Sequence, residues 1–200
     1  MDIQALTDAV VRRCFVELEA SGRHVHVTKE QALTLFGHPL TPQRPLSQPG
    51  QYLAKERVTV KGPKGEFREV AVLGPERKEG QVELSATDAR SLGISAPVRL
   101  SGDIKGTPGA VLEGPGGRVE LGQGVIIARR HVHLTPEDAR RFGVEHGQTV
   151  AVRTLTSRPL VFGDVAVRVS PDFASYVHLD YDEANACGFS KGDLGRLEPW

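Results

Sequence analysis

The chain has 200 residues, 39% apolar and 25% charged, enough to bury a core in one large domain or two small ones. Its 25 basic residues equal its 25 acidic ones, which removes the electrostatic case for nucleic acid or an anionic membrane as partner. The 2 cysteines are too few for a disulfide scaffold, no apolar run is long enough to span a bilayer, and no apolar leader opens the chain, so the expectation is a cytoplasmic protein.

Residues 3, 6, 10 and 14 are apolar at helical spacing, which predicts a helix over 2–13. Phe15 to Ser21 then alternates like a strand and leads into the first copy of a pattern that occurs four times. The copies are RHVHVTKEQALTLFG from Arg23, GQVELSATDARSLG from Gly80, RHVHLTPEDARRFG from Arg130 and SYVHLDYDEANACG from Ser175. Between them VTVKG, VAVLG, GRVEL, GVIIA and VAVRVS read as further short strands, and 22 glycines and 13 prolines supply the turns.

Within each copy, Val or Leu alternates with a chemically special residue, as on a strand with one face turned to a site. The special residues are His24 and His26, Gln81 and Glu83, His131 and His133, and Tyr176 and His178. Two positions later comes Thr28, Ser85, Thr135 or Asp180, and three beyond that Gln31, Asp88, Asp138 or Glu183, the spacing of a capping box. Pro136 suits a first helical position, and Gly37, Gly93, Gly143 and Gly188 end each helix after about two turns. The fold class expected is mainly β with short α-helices: two small β-barrels, each built from two strand–capped-helix copies, plus the amino-terminal helix. The boundaries read as 1–14, 15–118 and 119–200, with the join in the glycine-rich stretch at 114–124.

Of the 7 histidines, all but His38 and His146 fall in equivalent slots of the repeat. Residues i and i+2 of a strand face the same way, so each HxH pair can reach one ion at about 2.0–2.1 Å, with Glu83 as the accompanying carboxylate. Five imidazoles and one carboxylate exceed one tetrahedral ion, which points to two ions with open positions and so to catalysis. Arg77, in the turn GPERK just before the Glu83 strand, can aim a guanidinium fork suited to phosphate toward that strand's end. Arg23 and Arg130 face away from the first histidine of their pairs and read as structural, and Cys14 and Cys187 read as packing residues.

SGRHVHVT (21–28), SQPGQY (47–52), LGPERKEGQVELSATDARSLG (73–93), APVRLSGDIKGTPG (96–109), ARRHVHLTPEDA (128–139) and HLDYDEANACG (178–188) follow, in order, the motifs of one family. From about residue 15 to 197 the chain resembles the PduL-type phosphotransacylases, or phosphate propanoyltransferases. The resemblance implies a reversible acyl transfer between coenzyme A and phosphate, with propanoyl-CoA or acetyl-CoA as substrate, on two β-barrels that usually form a homodimer. It implies two zinc ions per chain: His24, His26 and Glu83 hold the one that takes the CoA sulfur, and His131, His133 and His178 hold the other. It makes Arg77 the catalytic arginine and places Ser21, Asn185 and, more loosely, Leu73 near CoA. Some members carry an amino-terminal segment that directs them into a bacterial microcompartment; helix 2–13 is read as an ordinary packing helix, with targeting as the alternative. Two other readings of the same residues stay open, a dinuclear metal hydrolase and a metal-stapled β-barrel binding module.

Overall fold

The computed structural model describes residues 14–200. The helix expected over 2–13 lies outside the described residues. In chain order the elements are β1 (Val16–Ser21), β2 (His24–His26), α1 (Lys29–Phe36), β3 (Pro42–Pro45), β4 (Tyr52–Lys61), β5 (Glu66–Gly74), β6 (Gln81–Leu84), α2 (Ala86–Leu92), β7 (Val98–Arg99), β8 (Ala110–Gly114), β9 (Gly117–Leu121), β10 (Val125–Ala128), β11 (His131–Leu134), α3 (Pro136–Phe142), β12 (Thr149–Leu155), β13 (Val161–Val169), β14 (Tyr176–Asp180), α4 (Tyr181–Cys187) and β15 (Leu194–Glu198). The protein is mainly β with short helices, and no helix among the described residues is long and apolar enough to cross a membrane.

The described chain divides into two compact units, one of residues 22–129 and the other joining residues 14–21 with 130–200. This differs from the sequence reading, which placed the join at 114–124 and put β1 with the first half. The glycine-rich stretch is instead a hairpin inside one unit, pairing β8 with β9 from Ala110↔Leu121 to Gly114↔Gly117. β1 belongs with residues far along the chain because it pairs parallel with β14 and antiparallel with β15.

The unit containing β1 is a closed six-stranded barrel in the order β1-β14-β11-β13-β12-β15. Closure comes from Val16↔Gly195 and Glu17↔Leu194. Gly195 lacks a side chain where one would run into Leu18 and Val152, both at 2.8 Å, so the closing strands can approach. Where a second barrel was expected, the other unit is a half-barrel, an open sheet of nine strands ordered β7-β10-β6-β2-β5-β4-β8-β9 with β3 on β4. The reason lies at its two ends. β4, β8 and β10 stand where β12, β15 and β1 stand in the barrel, but β8 takes β9 as its next neighbour and β10 takes β7. The two strands that would have closed the ring are already paired.

Below that difference the units share a frame. β2 lies between β5 (parallel) and β6 (antiparallel), and β11 between β13 (parallel) and β14 (antiparallel). A bulge recurs at the same point: the pairing shifts between Val58 and Val60 against β5 and between Val150 and Val152 against β13. The bulged residues Glu69 (φ 54°) and Asp164 (φ 52°) are left-handed. Val25, Val72 and Val82 point into one core, and Val132, Val167 and Val177 into the other.

The four helices of the repeat start and stop where the spacing predicts. Thr28, Ser85, Thr135 and Asp180 are N-caps whose side chains accept from the backbone N–H three residues on, and Gly37, Gly93, Gly143 and Gly188 are left-handed C-caps. The capping box is reciprocal in α1 and α4 only. In α2, Asp88 is taken by Arg23, and in α3, Asp138 is taken by Ser175 and Arg141. Cys187 is buried, as expected, whereas Cys14 is exposed. The apolar spacing that suggested packing for Cys14 lies outside the described residues.

Candidate functional site

The two HxH strands meet their partners in the same register. His24 stands across from Glu83 and His26 from Gln81 on β2 and β6. His131 stands across from His178 and His133 from Tyr176 on β11 and β14. Side chains alternate along a strand, so the two histidines of each pair share a face with the residue opposite the first of them, while the intervening valines fill the core. The result is two groups of three donors, His24–His26–Glu83 and His131–His133–His178, each with its donor atoms within 4.8 Å of one another.

In the first group, Glu83 Oε1 lies 3.6 Å from His24 Nε2 and 3.5 Å from His26 Nε2. The rings stand edge to face, centroids 4.9 Å apart. Each Nδ1 meets a backbone carbonyl, Gly22 O at 2.8 Å and Leu73 O at 3.2 Å. A carbonyl only accepts, so Nδ1 carries the hydrogen and Nε2 keeps the lone pair a metal needs. All three residues are buried. Around Glu83 runs a polar chain: Ser101 Oγ donates to Glu83 Oε1 at 2.6 Å, Gln81 Nε2 donates to the same oxygen at 2.5 Å, and Arg77 Nη1 donates to Ser101 Oγ at 2.9 Å. The Arg77 guanidinium is therefore one hydroxyl from a carboxylate of the group, and its own backbone N–H is held by Val27 O at 2.8 Å.

Electrostatics match this arrangement. Burial opposes the charge on Glu83, yet His24 and His26 outweigh it and hold the carboxyl well below its usual range. Burial likewise disfavours charge on His24, but the Glu83 carboxylate and Gly22 carbonyl overcome it and its pKa is raised. His26, with less help from Glu83, is pushed down to about 4 by burial. A buried, ionised carboxylate facing two imidazole Nε2 atoms is a donor set that could hold a divalent cation.

The second group has three imidazoles, with centroid separations of 4.6 Å (His131–His133), 4.9 Å (His131–His178) and 4.8 Å (His133–His178). His178 Nδ1 lies 3.2 Å from Glu19 Oε2. His133 is buried with neither ring nitrogen hydrogen-bonded, and it packs against Phe173 at 4.1 Å. Burial, with His131 and Arg168 nearby, lowers its pKa to about 3, so it stays neutral. A buried imidazole with two unsatisfied nitrogens costs stability unless something else binds it, and a metal is the natural partner here.

The six residues proposed from spacing thus form two donor groups, each within one unit. Arg77 joins the first group through Ser101. Arg23 and Arg130, expected to be structural or peripheral, each enter an ion pair. Arg23 bridges to Asp88 (2.8 and 3.1 Å) over the Phe67 ring, and Arg130 bridges to Glu183 at 2.7 Å, each tying an HxH strand to the capped helix of the partner copy. Ser21 ends β1 opposite Asp180. Leu73 offers its carbonyl to His26, and Asn185 sits exposed on α4. Sequence reasoning gave no role to Ser101 or Glu19. Ser101 lies in a loop whose motif was noticed without a function, and Glu19 alternates correctly for its strand but depends on a pairing 159 residues distant, from position 19 to 178.

A family model described as phosphate propanoyltransferase matches residues 17–190. A phosphate propanoyltransferase of Listeria monocytogenes is 53% identical over 201 residues, covering 98% of this chain and 94% of that protein. One of Enterococcus faecalis is 56% identical over 183 residues, covering 90% and 87%. One of Thermotoga maritima is 53% identical over 177 residues, covering 87% and 84%.

Proposed function

The chain belongs to the phosphate propanoyltransferase family and is an acyltransferase; from that premise we propose that it moves a propanoyl or acetyl group reversibly between coenzyme A and phosphate, using zinc at both donor groups. The observation that carries this reading is the chain Arg77–Ser101–Glu83, which sets a phosphate-matching cation beside a three-donor group of zinc-binding chemistry. The donor sets fit the metal: two Nε2 atoms and a carboxylate in one, and three imidazoles including the unsatisfied His133 in the other. A zinc ion held there would keep the CoA thiol deprotonated and accept developing negative charge.

The side chains account for the rest. In the synthetic direction for acyl phosphate, a phosphate oxygen forms a bond to the thioester carbonyl carbon, the C–S bond breaks, and its electron pair leaves on sulfur. Arg77 binds the attacking phosphate in its fork and faces the charge that builds on the carbonyl oxygen. Ser101 and Gln81 fix Arg77 and Glu83 relative to one another, so neither needs to reorganise during reaction. We assign the sulfur of CoA to the His24–His26–Glu83 group and phosphate to the His131–His133–His178 group, with Ser21, Leu73 and Asn185 as CoA contacts. Among the special residues of the repeat none is a serine or cysteine nucleophile, which supports direct attack without an acyl-enzyme. The homodimer and a bacterial microcompartment as the place of work belong to the same proposal.

Thiol release from propanoyl-CoA tests it. Release should depend on phosphate, and Arg77→Ala should lower kcat/KM by about 10²–10³-fold, the cost of losing one oxyanion-stabilising donor. Release at the rate of water hydrolysis, indifferent to phosphate, would overturn the proposal. Exchange of labelled phosphate into acyl phosphate without CoA would overturn direct attack alone.

A further inference from the structure

We propose that Glu19 is the carboxylate of the second donor group, acting through His178 rather than on the ion: it fixes that ring's tautomer and strengthens the remaining nitrogen as a donor. The inference rests on reading His131, His133 and His178 as a zinc site.

Three observations lead to it. β1 and β14 run parallel with Glu19 directly across from His178, so both side chains leave the same face. Glu19 Oε2 lies 3.2 Å from His178 Nδ1, which puts the hydrogen on Nδ1 and leaves Nε2 for a metal. The same strand in the open sheet offers no such group, because the residue across from Glu83 on β10 is Ile126. The first group therefore carries its carboxylate as a donor, Glu83, and its two histidines lean on the neutral carbonyls of Gly22 and Leu73. In the second group the third donor is an imidazole, and the carboxylate stands one ring further out. A charged acceptor on Nδ1 draws the hydrogen away from the ring and raises the electron density on Nε2, which tightens the metal bond. Glu19 keeps 34% of its side chain in solvent, so screening holds the effect toward the lower end of what such partners contribute.

The test is zinc competition against a chromophoric chelator, using the metal-free full chain and variants Glu19→Ala, Glu19→Gln and Glu17→Ala. Wild type should bind two zinc ions. Glu19→Ala should weaken one of them by about 10-fold and leave the other unchanged. Glu19→Gln keeps an acceptor of the same shape without the charge and should fall between the two, which separates a role for charge from one of packing. Glu17, across from Tyr176 on the same strand, is the control and should bind as wild type. Nitrogen-15 shifts of the histidine rings should place the His178 hydrogen on Nδ1 in wild type and lose that bias in Glu19→Ala. If Glu19→Ala binds both ions as tightly as wild type, this inference fails while the metal reading stands. If wild type itself takes up no zinc at the three histidines, both fail.

Discussion

The two donor groups stand on equivalent strand pairs, β2 with β6 and β11 with β14, in the same register, His24 across from Glu83 in one and His131 across from His178 in the other, yet one substitution gives them different electrostatics. With Glu83 among its donors, the first group carries a negative charge that Ser101 and Gln81 hydrogen-bond and that its own histidines hold ionised. The donors of the second are wholly imidazole, with the Glu19 carboxylate one ring further out, so an ion held there would turn more of its charge toward whatever enters. On the proposed reading, that difference would favour a polyanion such as phosphate at the second group and the single thiolate of CoA at the first. The comparison teaches that the backbone repeat fixes where donors stand, and the side chain at one slot sets their charge.

The largest expected effect comes from removing a donor. Glu83→Ala or His178→Ala should each lower phosphate-dependent thiol release by about 10³-fold, several kcal/mol of charge stabilisation. The two should differ in which KM moves first on milder changes. Glu83→Gln, which keeps the shape, should raise the KM for the acyl-CoA, and His178→Gln the KM for phosphate, read from steady-state kinetics. Equal shifts in both parameters for both variants would erase the division of labour.

A smaller effect is acid sensitivity. Burial keeps His26 neutral down to about 4, and Glu83 is ionised well below its usual range, so His24, whose pKa the Glu83 carboxylate raises against burial, is the imidazole of the first group that takes up a proton first as the pH falls. A metal must displace that proton. Zinc binding to the first group should therefore release up to about one proton per ion and weaken by up to about tenfold per pH unit below the His24 pKa. Calorimetry in buffers of different ionisation enthalpy measures it, and binding with no dependence on buffer would contradict it.

Much of this was legible in the sequence for a local reason. The HxH alternation, the cap residues and the closing glycines are patterns within about fifteen residues, and they fix strand faces and helix ends whatever the distant contacts are. Barrel closure was not legible, because it turns on which strand β8 and β10 accept as neighbours and on β1 joining residues beyond 130. Ser101 and Glu19 were missed for the same reason, since each gains its place from a partner far along the chain. The smallest prediction concerns the local layer alone. Thr28→Ala and Thr135→Ala delete the same capping bond, to Gln31 N at 3.1 Å and Asp138 N at 3.1 Å. Each should cost about 1 kcal/mol in chemical denaturation, the two agreeing within about 0.5 kcal/mol although only the first sits in a reciprocal box.

Anomalous diffraction at the zinc edge, from crystals of the zinc-loaded chain, tests the central claim most directly. The account predicts two peaks per chain, one about 2.0–2.2 Å from donor atoms of His24, His26 and Glu83 and the other at the same distances from His131, His133 and His178. A map with no peak at either group, or with zinc bound only elsewhere, would contradict it.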